Sequence, residues 1–305
     1  MNVATVRVPA KINLCLGVGP VRDDGYHPLA TVYQAVGLHD EVRAVSRADD
    51  EINVAMHTEL DVRAELATVP EDDNNLAVKA ARLLRETTGF VGGVDLAIRK
   101  VIPVAGGMAG GSADAAAALV ACNDAWGTGL SRGDLEQLAA QLGSDVPFLL
   151  HGGNAVGGGR GETISPVLAR GSYYWVFAIA AEGLSTAAVY AEFDRLNQGA
   201  KVPDPAVPDE LLAALRAGDP EALGDALSND LTEAALSLRP ELQDTLEVGI
   251  EAGALGAILS GSGPTSMFLA SDEQHSLDIA FALTSAAACA DVVQSHGPVP
   301  GARLA

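Results

Sequence analysis

From Val6 to Val18 the even positions Val6, Val8, Ala10, Ile12, Leu14, Leu16 and Val18 are apolar, while Arg7, Lys11 and Asn13 occupy odd ones. A period of two marks a strand with one face in a core. It places Lys11 and Asn13 on one face after Pro9, a residue able to introduce a bulge. Asp23-Asp24-Gly25 carries hairpin chemistry, and Thr31 to Val36 reads as the returning strand. Asn74 or Asn75 then caps a helix with Leu76, Ala80, Leu83 and Leu84 on one face and Gly89 at its end. Strand patterning resumes at Val94, Leu96 and Ile98, followed by a glycine-rich turn and the alanine-rich stretch Ser112 to Trp126, a helix by composition. Ser131 caps a further helix carrying Leu135, Leu138 and Leu142, stopped at Gly143.

The glycines from Gly152 to Gly159 read as loose or tightly turned backbone, and the boundary between two parts, 1–160 and 161–305, is expected just after them. The second part repeats the α+β mixture. Its strands are expected at Tyr174 to Ala180, near Gly256 to Leu259 and at Ser266 to Ala270. Its helices are expected near Ala187 to Leu196, Asp209 to Arg216 and Ser276 to Ala288. Gly297 to Ala305 reads as a tail with little to bury.

Composition narrows the function. The chain has 305 residues, enough for two ordinary cores, and 40 acidic against 19 basic side chains leave a formal charge of -21. No Lys/Arg cluster interrupts that excess, so nucleic acid and anionic membrane surfaces are poor partners. Cys15, Cys122 and Cys289 are far apart and match no zinc or disulfide spacing, which fits a reducing compartment. With no signal-peptide pattern and no apolar stretch of spanning length, a soluble cytoplasmic protein is expected.

The strongest local chemistry is the segment Pro103, Val104, Ala105, Gly106, Gly107, Met108, Ala109, Gly110, Gly111, Ser112 and Ala113, a glycine-dense turn between a strand and a helix. Glycine lets backbone N–H groups approach an anion, and a helix N-terminus adds unpaired donors and a positive dipole end. With Ser112 taken as the cap, the segment outlines a phosphate cradle; a tight turn selected for packing is the plainer alternative. It is not a Walker A loop, because no Lys precedes Ser112, and it is not a dinucleotide fingerprint, because it contains no GxG.

Three segments taken together, Pro9 to Leu14, Gly106 to Ser112 and Leu259-Ser260-Gly261-Ser262-Gly263-Pro264-Thr265, resemble the three ordered motifs of the GHMP small-molecule kinases. Asp23 to His27 and Leu142 to Phe148 resemble the branch whose acceptor alcohol carries a cytidyl diphosphate. The resemblance implies an α+β fold of two domains: an N-terminal mixed α/β nucleotide-binding domain and a C-terminal ferredoxin-like domain, with the active site in the cleft between them. It implies ATP and Mg2+ as cofactors, a small-molecule substrate, and a monomer or weak homodimer.

By the same resemblance Asp145 is the general base toward the acceptor hydroxyl, and Lys11 keeps that carboxylate ionised and polarises hydroxyl or phosphate. Read alone, Asp145 is a helix N-cap and Lys11 a solvated strand residue. The loop from Pro103 to Ala113 is implied to wrap the ATP phosphates, and Asn75 to lie near the adenine. Asn13, Tyr26, His27, Thr186, Tyr190, Gly261, Ser262 and Gly263 are implied on the acceptor side, with Tyr26 and Tyr190 as faces of a cytosine stack and His27 as its edge partner. Asp114 stands where the family often has Asn or Ser. It reads as a first-turn residue stabilising the helix, an outer-shell group for magnesium being the other reading. A kinase of the mevalonate or homoserine type, or a silent binding member, are the rival readings.

Overall fold

The computed structural model describes residues 2–58, 69–104, 106–159 and 161–305. Its first layer grows from the long hairpin that the amino-terminal alternation requires. Strand β1 (Val3–Val18) runs antiparallel to β2 (Leu29–Arg47), with register shifts between Pro9 and Ala10 and between Asn13 and Cys15. The first shift lies at the proline, where a ladder donor is missing. β3 (Ile52–Thr58) lies parallel to β4 (Gly93–Lys100), which pairs antiparallel with β2.

One face of this sheet is covered by α1 (Leu76–Thr88) and α2 (Gly110–Trp126), with α3 (Arg132–Leu142) and α4 (Val146–His151) packed against α2. The caps follow their residues: the Asn75 side chain accepts from the Ala77 N–H, Gly89 is left-handed, and Ser131 and Asp134 form a reciprocal capping box. Small side chains let α2 lie close to the sheet, and its alanines from Ala113 to Ala118 are buried, with Leu119, Cys122 and Trp126 following.

The other face of β1 is not open to water. From Val8 to Leu16 every residue is buried, Lys11 and Asn13 included. The remaining strands explain this. β5 (Asn154–Gly158) pairs with β2 and with β6 (Thr163–Pro166). β7 (Tyr173–Ile179) opens a second sheet, joined to the first where Trp175 Nε1 donates to Gln34 Oε1 at 2.7 Å. That sheet has the order β11-β7-β10-β9 and is antiparallel throughout, with β9 (Gly256–Leu259), β10 (Ser266–Ala270) and β11 (Asp291–Gly297). Its core of Val176, Phe268, Leu259 and Ile279 is completed by α5 (Thr186–Leu196), α8 (Thr232–Leu238), α9 (Glu241–Glu251) and α10 (Glu273–Ser285). Between them α6 (Asp209–Ala217) and α7 (Pro220–Ala226) pack Leu211, Leu215 and Leu223 into the first core.

Two expectations are corrected. The glycines from Gly152 are turned at Gly152, Gly153 and Gly159, which lie in the left-handed region, but the stretch between is not loose backbone, because Asn154–Gly158 is β5 and fills the sheet position beside β2. The C-terminal segment is not a tail with little to bury. Val299 and Ala302 are buried, the Ala302 N–H donates to Leu149 C=O at 2.8 Å, and β12 (Arg303–Leu304) pairs with β1. Together with β8 (Ser228–Asn229), which lies parallel to β1, β6 and β12 return to the first sheet from beyond residue 160. The two parts expected from the sequence therefore share strands.

Candidate active site

A cleft of about 580 Å³ opens between the helical end of the first sheet and the second. Lys11 and Asn13 line it from β1, as one strand face requires, and the Lys11 Nζ donates to Asn13 Oδ1 at 2.7 Å and to Gly107 C=O at 3.3 Å. Asn13 is fixed in turn, its Nδ2 donating to Thr31 Oγ1 at 2.8 Å. The ammonium is 3.8 Å from Asp145 Oδ2. Asp145 precedes α4 at the N-cap position, yet its carboxylate makes no capping bond, and Pro147 early in the helix lacks an N–H to offer it. The carboxylate is left to face the cleft.

The glycine loop approaches from the opposite wall. Helix α2 begins at Gly110, so its cap is Ala109 in the left-handed region at φ 59°, and Ser112 sits in the first turn rather than at the cap. The first intrahelical bond runs from Ala113 N–H to Ala109 C=O, which leaves the N–H groups of Gly110, Gly111 and Ser112 ahead of it. All three residues line the cleft, as do Pro103, Gly106, Gly107 and Ala109. A row of amides that have no partner among the described residues, at the positive end of a 17-residue helix, is an anion site in its chemistry. Gly107, at φ 76°, admits no side chain, because a Cβ there would lie 2.0 Å from Ser260 C=O. The third motif thus closes directly on the loop. Gly261 and Ser262 line the cleft, and Ser262 Oγ meets Thr186 Oγ1 at 2.9 Å.

Tyr190 and Thr186 come from the start of α5 and complete the wall. Burial and the nearby Asp145 charge push the Tyr190 phenol up to about 12. His27 is buried behind it, its ring centroid 5.2 Å from that of Tyr190 and its Nδ1 2.8 Å from Gly19 C=O. Tyr26 is exposed, and its N–H donates to Asp24 Oδ1 in the turn.

Several expected positions lie elsewhere. Asn75 is consumed as the α1 cap and by Pro70 C=O, while its neighbour Leu76 reaches the cleft. Met108 and Ala113 are buried beneath the loop, Val104 and Gly263 lie off the lining, and Ala105 lies outside the described residues. Asp114 is not a free first-turn group and does not line the cleft: it is buried under the helix against Lys100 Nζ, at 2.8 Å.

Sequence reasoning missed Tyr33, Leu16, Leu29, Ser144, Leu184, Ser185 and Leu231 on the lining. Tyr33 matters most. It pairs with Asn13 across the hairpin, and Lys11 Nζ is 5.6 Å from its ring centroid. Burial first, then the charge and hydrogen bonding of Asp145, hold its phenol well above the usual tyrosine range. Alternation along β2 marks its face, but only the register with Asn13 brings it to the site.

Known proteins resemble this chain along nearly its whole length. The GHMP kinases N terminal domain matches residues 75–153, and the GHMP kinases C terminal domain matches residues 211–289. A 4-diphosphocytidyl-2-C-methyl-D-erythritol kinase from Thermobifida fusca is 56% identical over 301 residues, covering 98% of this chain and 97% of that one. The chain belongs to the GHMP kinases, among the 4-diphosphocytidyl-2-C-methyl-D-erythritol kinases. A crystal structure of a 4-(cytidine 5'-diphospho)-2C-methyl-D-erythritol kinase is similar at TM-score 0.75 and 31% identity, covering 95% of this chain and 98% of that one. A homoserine kinase from Cytophaga hutchinsonii, at TM-score 0.76 and 19% identity, covers 100% of this chain and 98% of its own and shares the fold. GHMP kinase architecture, with its mixed amino-terminal and ferredoxin-like carboxyl-terminal parts, is the fold seen here.

Proposed function

We infer that the chain transfers the γ-phosphoryl group of ATP to the 2-hydroxyl of 4-diphosphocytidyl-2-C-methyl-D-erythritol, giving the 2-phosphate and ADP in isoprenoid precursor synthesis by the non-mevalonate route. The observation that carries this reading is the meeting of the Lys11–Asp145 pair and the free amides of α2 in one cleft. Asp145 accepts the proton of the attacking hydroxyl. Lys11 stands beside it, bonded to Asn13 and Gly107, where positive charge favours the transferring phosphoryl. Gly110, Gly111 and Ser112 bind the ATP phosphates through their amides, and Gly106, Gly107 and Ala109 shape the approach. Tyr190 offers a stacking face to the cytosine, with His27 packed behind it; Thr186, Ser262 and Gly261 fix the acceptor side.

Among the described residues no group of three or more His, Cys, Asp or Glu side chains could hold a metal ion. The cleft's oxygen donors, a single carboxylate and hydroxyls, suit a magnesium ion carried on the phosphates of ATP. Bound there, magnesium supplies charge neutralisation to the phosphates. The same reading carries a cytoplasmic setting and a monomer or weak homodimer; among the described residues no helix is long and apolar enough to cross a membrane.

The test is turnover of γ-labelled ATP with the cytidyl alcohol, mevalonate and homoserine in parallel. Label transfer to the cytidyl alcohol alone is expected. Transfer to mevalonate or homoserine instead would reassign the acceptor within the family, and transfer to none would favour a silent binding protein.

A further inference from the structure

Beneath the phosphate loop lies a buried cluster that the transfer mechanism leaves unused. Lys100 Nζ, at the end of β4, sits 2.5 Å from Asp40 Oδ2 and 2.8 Å from Asp114 Oδ2, and all three residues are at most 3% exposed. Asp40 uses its other oxygen to accept from the N–H groups of Val101 at 2.6 Å and Ile102 at 2.9 Å, where the chain enters the loop. At the loop's far end, a Cβ on Gly110 would lie 3.2 Å from Lys100 Nζ. The cluster therefore underlies both ends of the loop.

Its charges do not balance. Two ionised carboxylates on one ammonium leave a buried net negative charge, and Asp114 Oδ1 has no hydrogen-bond partner among the described residues. An anionic oxygen without a donor in a buried site is costly, and a proton removes the charge that carries that cost. Among the described residues the other elements around α2 put no further cation into the cluster: the buried residues of α1, α3 and α4 are uncharged, Arg43 of β2, Arg99 of β4 and Arg303 of β12 are exposed, and Lys11 of β1 is engaged at Gly107. Burial pushes the Asp114 carboxyl up to about 8 against the pull of Lys100, with Asp40 adding to the push. Lys100 itself stays charged: burial works against it, but Asp114 and Asp40 outweigh burial and lift it to about 12.

We propose that Asp114 is a positioning residue for the nucleotide loop, carried as a carboxylic acid so that the buried cluster beneath the anion site is neutral. Its ionisation places a negative charge under the amides that face the ATP phosphates and weakens nucleotide binding. This rests on the loop being the ATP site. Asn is the uncharged, near-isosteric counterpart of that acid, which makes Asp114→Asn the informative variant.

Two measurements separate the claims. The first is the Kd for MgATP by calorimetry from pH 6.5 to 9.5, for the parent and Asp114→Asn, with Asp114→Ser as a second uncharged variant. The parent should lose about fivefold in affinity as pH rises through the ionisation, while both variants stay flat once the shared titration of ATP is subtracted. The second is thermal unfolding without nucleotide from pH 3 to 9. A carboxyl raised in the folded state costs nothing below its unfolded value, and its penalty grows as pH climbs toward the folded value. The variants should therefore gain Tm on the parent progressively from about pH 4 to about pH 8 and hold the gain above it. Parallel pH profiles in unfolding would overturn the stored proton. Parallel affinity profiles with a divergent Tm would overturn the link to the loop. No MgATP binding by any of the three would overturn the nucleotide reading itself and the positioning role with it, leaving the Tm divergence to report on the proton alone.

Discussion

Asp145 occupies a helix N-cap, the position where a short acidic side chain is ordinarily consumed by backbone amides. Here the cap bond is absent and the carboxylate faces Lys11 at 3.8 Å. Removing its ability to take a proton should therefore spare binding and damage chemistry. Asp145→Asn is expected to keep its Kd for MgATP within about twofold and to lose at least about a hundredfold in kcat. Calorimetry paired with label-transfer rates checks this, and an unchanged kcat would remove Asp145 from the base role. Lys11 and Asn13 were legible as one strand face from alternation alone, whereas Asp145 became legible only through the joint resemblance of several motifs. Tyr33 was not legible, since its place beside Asn13 depends on a register that the ten residues from Gly19 to Pro28 do not fix.

Elements were legible where local signals agree with tertiary demand. The α1 and α3 caps, the glycine stops and the alternation of β4 all appear where their residues place them. The C-terminal segment fails that rule because its burial is not periodic: Val299, Gly301 and Ala302 are buried while Pro300 between them is exposed, and the segment donates to Ala35 C=O and Leu149 C=O without a repeating pattern. Gly301 is the tightest point. Its φ is not left-handed, so only space matters, and a Cβ there would lie 2.1 Å from Leu150 C=O and 2.8 Å from the Gly152 N. Gly301→Ala is expected to destabilise the fold by about 2–4 kcal/mol by forcing the segment off the first sheet. Gly158→Ala, where a Cβ meets nothing within 4 Å, serves as the control. Equal Tm values for the two variants would show that the C-terminal segment carries no stability.

At the scale of the whole molecule, a net charge of -21 surrounds a cleft whose proposed ligands are both phosphate esters. Composition argued against polyanions as partners, but it could not show that a few oriented groups reverse the sign locally. Lys11 and the amides of Gly110, Gly111 and Ser112 act at contact distance, whereas the acidic surface acts over the screening length. That length falls from about 30 Å at 10 mM salt to about 8 Å at 150 mM, so added salt removes the long-range repulsion before it touches the contacts in the cleft. The association rate of MgATP is therefore expected to rise by about twofold or more over that range, while a neutral nucleoside such as cytidine shows no change. Stopped-flow association rates at constant free magnesium decide the matter. A rate that falls with salt would mean that the positive field of the loop and Lys11 extends beyond the cleft mouth and steers the nucleotide in against the surface charge.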